Sequence, residues 1–491
     1  MPSKHKNIIL VFILVLAAGL RLAAVFHYGD FLWDEMFSFT FSQKPWLESV
    51  KLWLWETNPP LHMAILKLWF YVFPANEFFT RLPSVLFGVL GVWAIYKTVK
   101  IIFNDNRLAL LSAVVLTFSP YHIFMSATGR GYTLLMLLDI LAVYFFYQIF
   151  FKNKTDKKTI ILLGLINLLL MFTHLTAAFI IAGQLIALAV KKSGLKLWLS
   201  VNAVPLLCFG VWTALSLPLK INLDLFGGGW YFLTAKGVYA AVNSFQPLIL
   251  GPHLGLSEYS IYFFTAFFLL GVFTVLYRQS QIKNLDKKFI VLLFMTAMPV
   301  VVSGALEIWN IKFFMIALPW AAVAIAYLLN SLIKNRWLVA VVLVILVLPG
   351  CLYIYYLLPL NDWRVLNGYL ATNYRPKKKQ IYIYNLFIDK LLIDRYYQSP
   401  IPTLPYFTGA DWERDVISKN FLRFKHPSEE LNQWLDNQHI ENYDEIFLSE
   451  EKCGIDLSAE LNARGWLMKK SFYAHQLDRK KLYLYVRPET N

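Results

Sequence analysis

Acid is scarce over most of this 491-residue chain, where only 13 Asp and Glu side chains precede residue 358. Charged residues of both signs make up 16% of the whole against 58% hydrophobic, which excludes an ordinary soluble multidomain protein. The chain reads as a polytopic membrane protein. Cysteine is also nearly lacking. Cys208, Cys351 and Cys453 are far apart and odd in number, which excludes a disulfide framework and any cysteine-based metal spacing. There is no internal repeat and no low-complexity tract. No small-residue cleavage site follows the first apolar run from Ile8, so that run reads as a retained helix rather than a secretory leader.

Base is plentiful but uneven. Before residue 358 there are 27 Lys and Arg against 13 acids, a net +14; the remainder has 19 against 18, a net +1. A total of +15 invites a nucleic-acid partner, yet base confined to the membrane part follows from the positive-inside bias. No nucleic acid is expected.

Apolar runs on the scale of a bilayer crossing lie at 8–26, 79–97, 108–125, 132–150, 159–173, 175–190, 197–215, 261–277, 289–306, 313–330 and 337–357. Residues 216–260 form a long connection whose apolar part, 238–252, either dips into the membrane or hides two further spans. The expectation is therefore about 11 to 13 transmembrane helices. The pair around His174 is short and reads equally as one long helix. Charge decides: the basic clusters beginning at Lys4, Lys97, Lys152, Lys191, Arg278 and Lys334 share one side only if two helices flank His174. The N-terminus is then cytoplasmic and the loop after the first span is outside, in a protein of the cell (inner) membrane.

From about Leu360 the composition becomes that of a soluble domain. QIYIYNLFI and DEIFLSE read as strands, SEELNQWLDNQ and SAELNARG as helices, and LMKKSFYAH with KKLYLYVRP as a closing antiparallel pair. The expected fold class is an α-helical polytopic membrane protein, residues 1–357, with a small extracytoplasmic α/β domain at 358–491.

Within the first outer loop, 27–78, the stretch Phe31 to His62 stands out. Asp30, Asp34, Glu35, Glu48 and Glu56 fall within it or at its edge. Asp34 and Glu35 follow the first span closely, among Trp33, Met36 and Phe37. Partial desolvation there favours a raised pKa and a proton acceptor; the plain alternative is a solvated helix-end pair. ETNPPLH sets Glu56, Asn58 and His62 around a Pro-Pro that forbids helix through the turn. Glu56, His62 and His253 are the candidates for a divalent cation, although so few ligands do not make a coordination shell.

Ionisable groups in or beside spans are functional candidates by default. Arg130 in SATGRGYTL sits at the expected outer end of a helix, with Asp139 about two and a half turns deeper. Arg81, His174, His253, Glu307 and Lys312 also fall near the outer surface. Taken singly, each reads as an anchor or snorkelling side chain. Taken together, an outer acid beside outer cations suits a substrate carrying phosphate, whose oxygens Arg holds bidentately.

FLWDEMFSF, NPPLHMAILKLW, RLPSVLFGVLGVWAIY, GRGYTLLMLLDILAVYFF, THLTAAFIIAGQ and KFFMIALPW, in this order, resemble the polyprenyl-phosphate-sugar-dependent glycosyltransferases of the GT-C class. More narrowly, they are similar to the protein-mannosyltransferase and aminoarabinose-transferase-like group, and NDWRVLNGYL resembles the start of the outer domain in bacterial members. The resemblance implies that Asp34 is the loop base and Glu35 its acidic neighbour. It implies that Arg130 meets the donor phosphate, with Lys312 where many members have Arg; Arg81, by its place near the outer surface, is a further candidate for that phosphate. Glu56, Asn58, His62 and His174 are then left for the sugar or the acceptor. His62 stands where Tyr is frequent, and Asn58 where aminoarabinose transferases carry Lys, so their metal site and sugar preference do not carry over.

The expected function is an inverting transfer of a sugar, a hexose such as mannose or a pentose, from a polyprenyl-phosphate donor to an extracytoplasmic lipid, glycan or protein acceptor. The phosphate is already a good leaving group, so one base and phosphate-holding cations suffice. The rival is a flippase or exporter of a lipid-linked glycan, which places its charge near the midplane on broken helices. A scaffold with a membrane anchor needs far fewer spans.

Overall fold

The computed structural model describes residues 3–56, 58–222, 315–352, 354–355, 363–384, 387–405, 428–450, 457–473 and 481–487. The spans expected at 261–277 and 289–306, and with them His253, Glu307 and Lys312, lie outside the described residues. The chain divides into two compact units: Met1–His27, Ser38–Leu219 and Gly229–Leu357 in one, Tyr28–Phe37, Lys220–Gly228 and Leu358–Asn491 in the other.

The first unit is helical. After α1 (Ser3–His27) come α2 (Trp33–Gln43), which begins in the second unit, α3 (Trp46–Trp55) and α4 (Leu61–Trp69). The segment after α1 is thus largely short helices, and the Pro59-Pro60 pair marks the break between α3 and α4. Next are α5 (Glu77–Phe103), α6 (Asn106–Phe118), α7 (Pro120–Ser126) and α8 (Tyr132–Lys152). They are followed by α9 (Lys157–Met171), α10 (Ala177–Lys191), α11 (Leu195–Asn222), α12 (Leu318–Leu332) and α13 (Arg336–Leu352). Two helices, α9 and α10, flank His174. Among the described residues five helices are long and apolar enough to cross a membrane, and α6 with α7, bent by 62°, make a sixth if they form one span.

Polar side chains at the ends of these helices act as local stops. Asn76 caps α5 by accepting from the Phe79 N–H at 3.0 Å. Asp105 caps α6, accepting from the Arg107 and Leu108 N–H groups at 2.7 and 3.1 Å. Asn104 and Asn153 end α5 and α8 in the left-handed region, which Asn tolerates better than other residues with a Cβ.

Interior polar groups join the spans where hydrocarbon offers no water. The bend before Pro120 leaves carbonyls of α6 without helical partners. Arg21, fully buried on α1, satisfies two of them, Leu116 O at 3.2 Å and Thr117 O at 3.3 Å. It also donates to Ser126 Oγ at 3.2 Å and lies 2.6 Å from His122 Nδ1. Asn167 donates to Gln184 at 3.1 Å and to Asn202 at 2.8 Å, tying α9, α10 and α11 together. Asp139 on α8 accepts from Trp320 Nε1 on α12 at 2.8 Å.

The second unit contains α14 (Trp363–Thr372), β1 (Gln380–Tyr384), α15 (Phe387–Tyr396), β2 (Thr403–Pro405), α16 (Ser428–Asn437), β3 (Glu445–Glu450), α17 (Leu457–Ala463), β4 (Leu467–Tyr473) and β5 (Lys481–Val486). The strands form one sheet in the order β2-β1-β3-β5-β4. The β1 pairings with β2 and β3 are parallel, whereas β5 runs antiparallel to β3 and β4. Ile381, Ile383, Ile446 and Leu448 pack with Leu431, Leu435 and Trp466 in its core. Of QIYIYNLFI, Gln380–Tyr384 forms β1, and Phe387 and Ile388 instead open α15.

Candidate active site

In the first unit a pocket is lined by Ser38, Glu56, Asn58, Pro59, His62, Met63, Arg130, Gly131, Tyr132, Thr173 and His174. Four short segments build it: the C-terminal half of α2, the Pro-Pro turn into α4, the turn before α8, and the turn between α9 and α10. Backbone bonds lock them. The Leu61 N–H donates to Phe172 O at 2.9 Å, which ties the start of α4 to the His174 turn. Ser42 Oγ donates to Met63 O at 2.9 Å, tying α2 to α4.

Arg130 is half-buried. Its carbonyl accepts from Ser84 Oγ at 3.1 Å and its Nη1 donates to Ser38 Oγ at 2.9 Å. Ser38 on α2 thereby orients the guanidinium, which lines the pocket, while Ser84 on α5 holds the backbone of the same residue. An oriented guanidinium at a pocket wall is suited to an anionic oxygen, because its fork of N–H groups matches two acceptors at once.

His62 is 4% exposed, and its Nε2 has no hydrogen-bond partner among the described residues. Burial, with the nearby Arg130 charge second, pushes its pKa down to about 3. The ring is therefore neutral at physiological pH and presents a nitrogen to be met by a hydroxyl or similar group. His174 has a defined tautomer. Its Nδ1 accepts from the Thr176 N–H at 3.2 Å and lies 2.9 Å from Thr176 Oγ1, which puts the proton of the neutral ring on Nε2. Tyr132 stands 6.0 Å from that ring, centroid to centroid. Glu56, at the C-terminal end of α3, is 8% exposed.

Of the residues singled out in the sequence, Glu56, Asn58, His62, Arg130 and His174 meet in this pocket. Arg81 does not line it; it is 1% exposed on α5. Asp139 is held in the span by Trp320. Ser38, Tyr132 and Thr173 were not singled out, although FLWDEMFSF and GRGYTL contain the first two. Among the described residues no three His, Cys, Asp or Glu side chains converge as a metal site.

Asp34 and Glu35 belong to the second unit, in the first turn of α2. Glu35 is fully buried, and its Oε2 accepts from the Leu32 N–H at 2.8 Å. Leu32 precedes the helix and Glu35 is its third residue, so this is the glutamate half of a capping box. Asp34 is partly exposed.

Residues 57–220 match the family described as dolichyl-phosphate-mannose-protein mannosyltransferase. The chain is similar in structure to ArnT from Cupriavidus metallidurans bound to undecaprenyl phosphate, with a TM-score of 0.58, 12% identity and 98% of each chain covered. It is also similar to the Archaeoglobus fulgidus oligosaccharyltransferase tethered to an acceptor peptide, with a TM-score of 0.51, 12% identity, and 91% of this chain and 69% of that one covered. No curated protein matches by sequence. By fold the chain is an α-helical polytopic membrane protein similar to ArnT, and residues 57–220, about a third of it, match the mannosyltransferase family.

Proposed function

We propose that this protein transfers a sugar from a polyprenyl-phosphate donor to an acceptor hydroxyl outside the cytoplasm, with inversion at the anomeric carbon. The observation that carries this reading is Arg130: a guanidinium oriented by Ser38 at the wall of a pocket whose remaining polar groups, Glu56, Asn58, His62 and His174, suit a polyhydroxylated ring. The ArnT with which it shares its fold was solved with undecaprenyl phosphate bound.

Asp34 is the base in this scheme. As the acceptor oxygen bonds to the anomeric carbon, its proton passes to the Asp34 carboxylate. The anomeric C–O bond to phosphate breaks, and its electron pair leaves on the phosphate, where Arg130 offsets the charge. Glu35, committed to the Leu32 N–H, supports the helix that carries the base. A base on the face opposite the leaving group needs no covalent sugar intermediate, hence inversion.

The test is release of undecaprenyl phosphate from undecaprenyl-phosphate-linked mannose, glucose and arabinose by purified protein, compared with Asp34→Asn and Arg130→Ala. Turnover by the wild type with loss in both variants supports the reading. Asp34→Asn at the wild-type rate overturns the base assignment. A protein that moves the lipid across vesicles yet releases no polyprenyl phosphate is a flippase.

A further inference from the structure

We propose that the C-terminal unit is a clasp on the segment leading into the base, with Asp30 and Arg364 as positioning residues. The inference rests on the reading of Asp34 as base and gives the C-terminal domain a part in the reaction.

Asp30 is a buried carboxylate, its side chain 1% exposed, four residues before Asp34. Its Oδ1 pairs with the Arg364 guanidinium. Its Oδ2 accepts from the Arg364 backbone N–H at 2.8 Å, in the first turn of α14, where the exposed N–H groups and the helix dipole favour a negative charge. A single side chain is thus held both by a guanidinium and by a helix N-terminus.

The next residue is held as well. Tyr396 Oη, at the end of α15, accepts from the Phe31 N–H at 3.0 Å. The Arg395 guanidinium lies 4.9 Å from the Phe31 ring centre, and Arg364 lies 5.0 Å from that of Tyr396. Leu32 follows, its N–H bound by Glu35. Three consecutive residues before α2 are therefore fastened, two of them by side chains more than three hundred positions away in sequence. Such a device fixes where the first turn of α2, and Asp34 in it, is presented. Small misplacements of a catalytic group are costly because the reacting atoms must meet within a narrow range of distance and angle.

The test uses full-length protein in detergent micelles, with Arg364→Ala, Arg364→Lys and Tyr396→Phe. The last removes one hydroxyl and leaves the ring packing in place. Arg364→Ala is expected to lower kcat about tenfold on the undecaprenyl-phosphate-sugar panel, leaving undecaprenyl phosphate binding within about twofold, since positioning acts on the reaction and not on donor affinity. Arg364→Lys restores part of kcat, Tyr396→Phe lowers it less, and amide hydrogen exchange over residues 28–37 quickens in the Ala and Phe variants. Unchanged exchange over 28–37 overturns the proposal whether or not the panel is turned over, as does wild-type kcat in both Arg364→Ala and Tyr396→Phe. A fall in kcat matched by an equal loss of donor binding overturns it too. An active Asp34→Asn refutes the base; an inactive Asp34→Asn beside wild-type-like Arg364→Ala and Tyr396→Phe refutes only the clasp.

Discussion

A Cβ added to Gly131 would sit 3.0 Å from the Cβ of His62 and 3.4 Å from its Cγ. Glycine in GRGY is therefore what lets the turn before α8 close on the imidazole, independently of any special backbone angle. Gly131→Ala is expected to displace His62 into the pocket. The cost should be about 1–3 kcal/mol, as for overpacking in an interior. Thermal unfolding and donor-binding measurements should both register it.

His62 also sets an acid limit on stability. Its folded-state value, pushed down to about 3 by burial and Arg130, lies below the ~6.5 of an unfolded histidine. The unfolded chain binds the proton first, so stability is full above about 6.5 and falls as pH drops towards 3, by at most ~1.4 kcal/mol per pH unit. His62→Gln should flatten that part of the curve. Melting wild type and variant at pH 7.5 and 4.5 checks it: the wild type should lose more.

The two neighbouring acids should separate by phenotype. Asp34→Asn is expected to abolish turnover with little change in melting temperature. Glu35→Ala removes the bond to the Leu32 N–H and should cost about 1 kcal/mol of stability. Glu35→Gln keeps an oxygen for that N–H and should stay close to wild type in stability.

The Asp139–Trp320 pair should behave as one unit. Trp320→Phe leaves the buried Asp139 side chain without its indole donor and is expected to cost about 1–3 kcal/mol. In Asp139→Leu the Trp320→Phe change should cost less, and a double-mutant cycle in detergent gives the coupling.

Much of the architecture is a local property of the sequence. Hydropathy over about twenty residues locates α1, α5, α8 and α11, because the bilayer imposes a length. The Pro-Pro pair stops α3 from running on into α4, and the basic clusters separate α9 from α10 at His174. The β1, β3, β4 and β5 segments carry short apolar runs or alternation that can be read directly. Phe387 and Ile388 fit the end of a strand and the start of a helix equally well, because so short an apolar run carries no period.

The site is different in kind. Composition and patterning by themselves determine a membrane protein with an acid-bearing segment after its first span, and they mark Asp34, Glu35, Arg130 and His62 as unusual for their surroundings. Only the tertiary structure decides that Arg130 reaches Ser38, 92 residues earlier, and that Glu56 and His62 line a pocket from which Arg81 is absent. The same holds for Asp30, whose partner Arg364 lies at the start of a helix in the other half of the sequence. Spans and strands follow from neighbours along the chain, but a charge acquires its role from what packing places within hydrogen-bond reach, and that distance is not written in sequence separation.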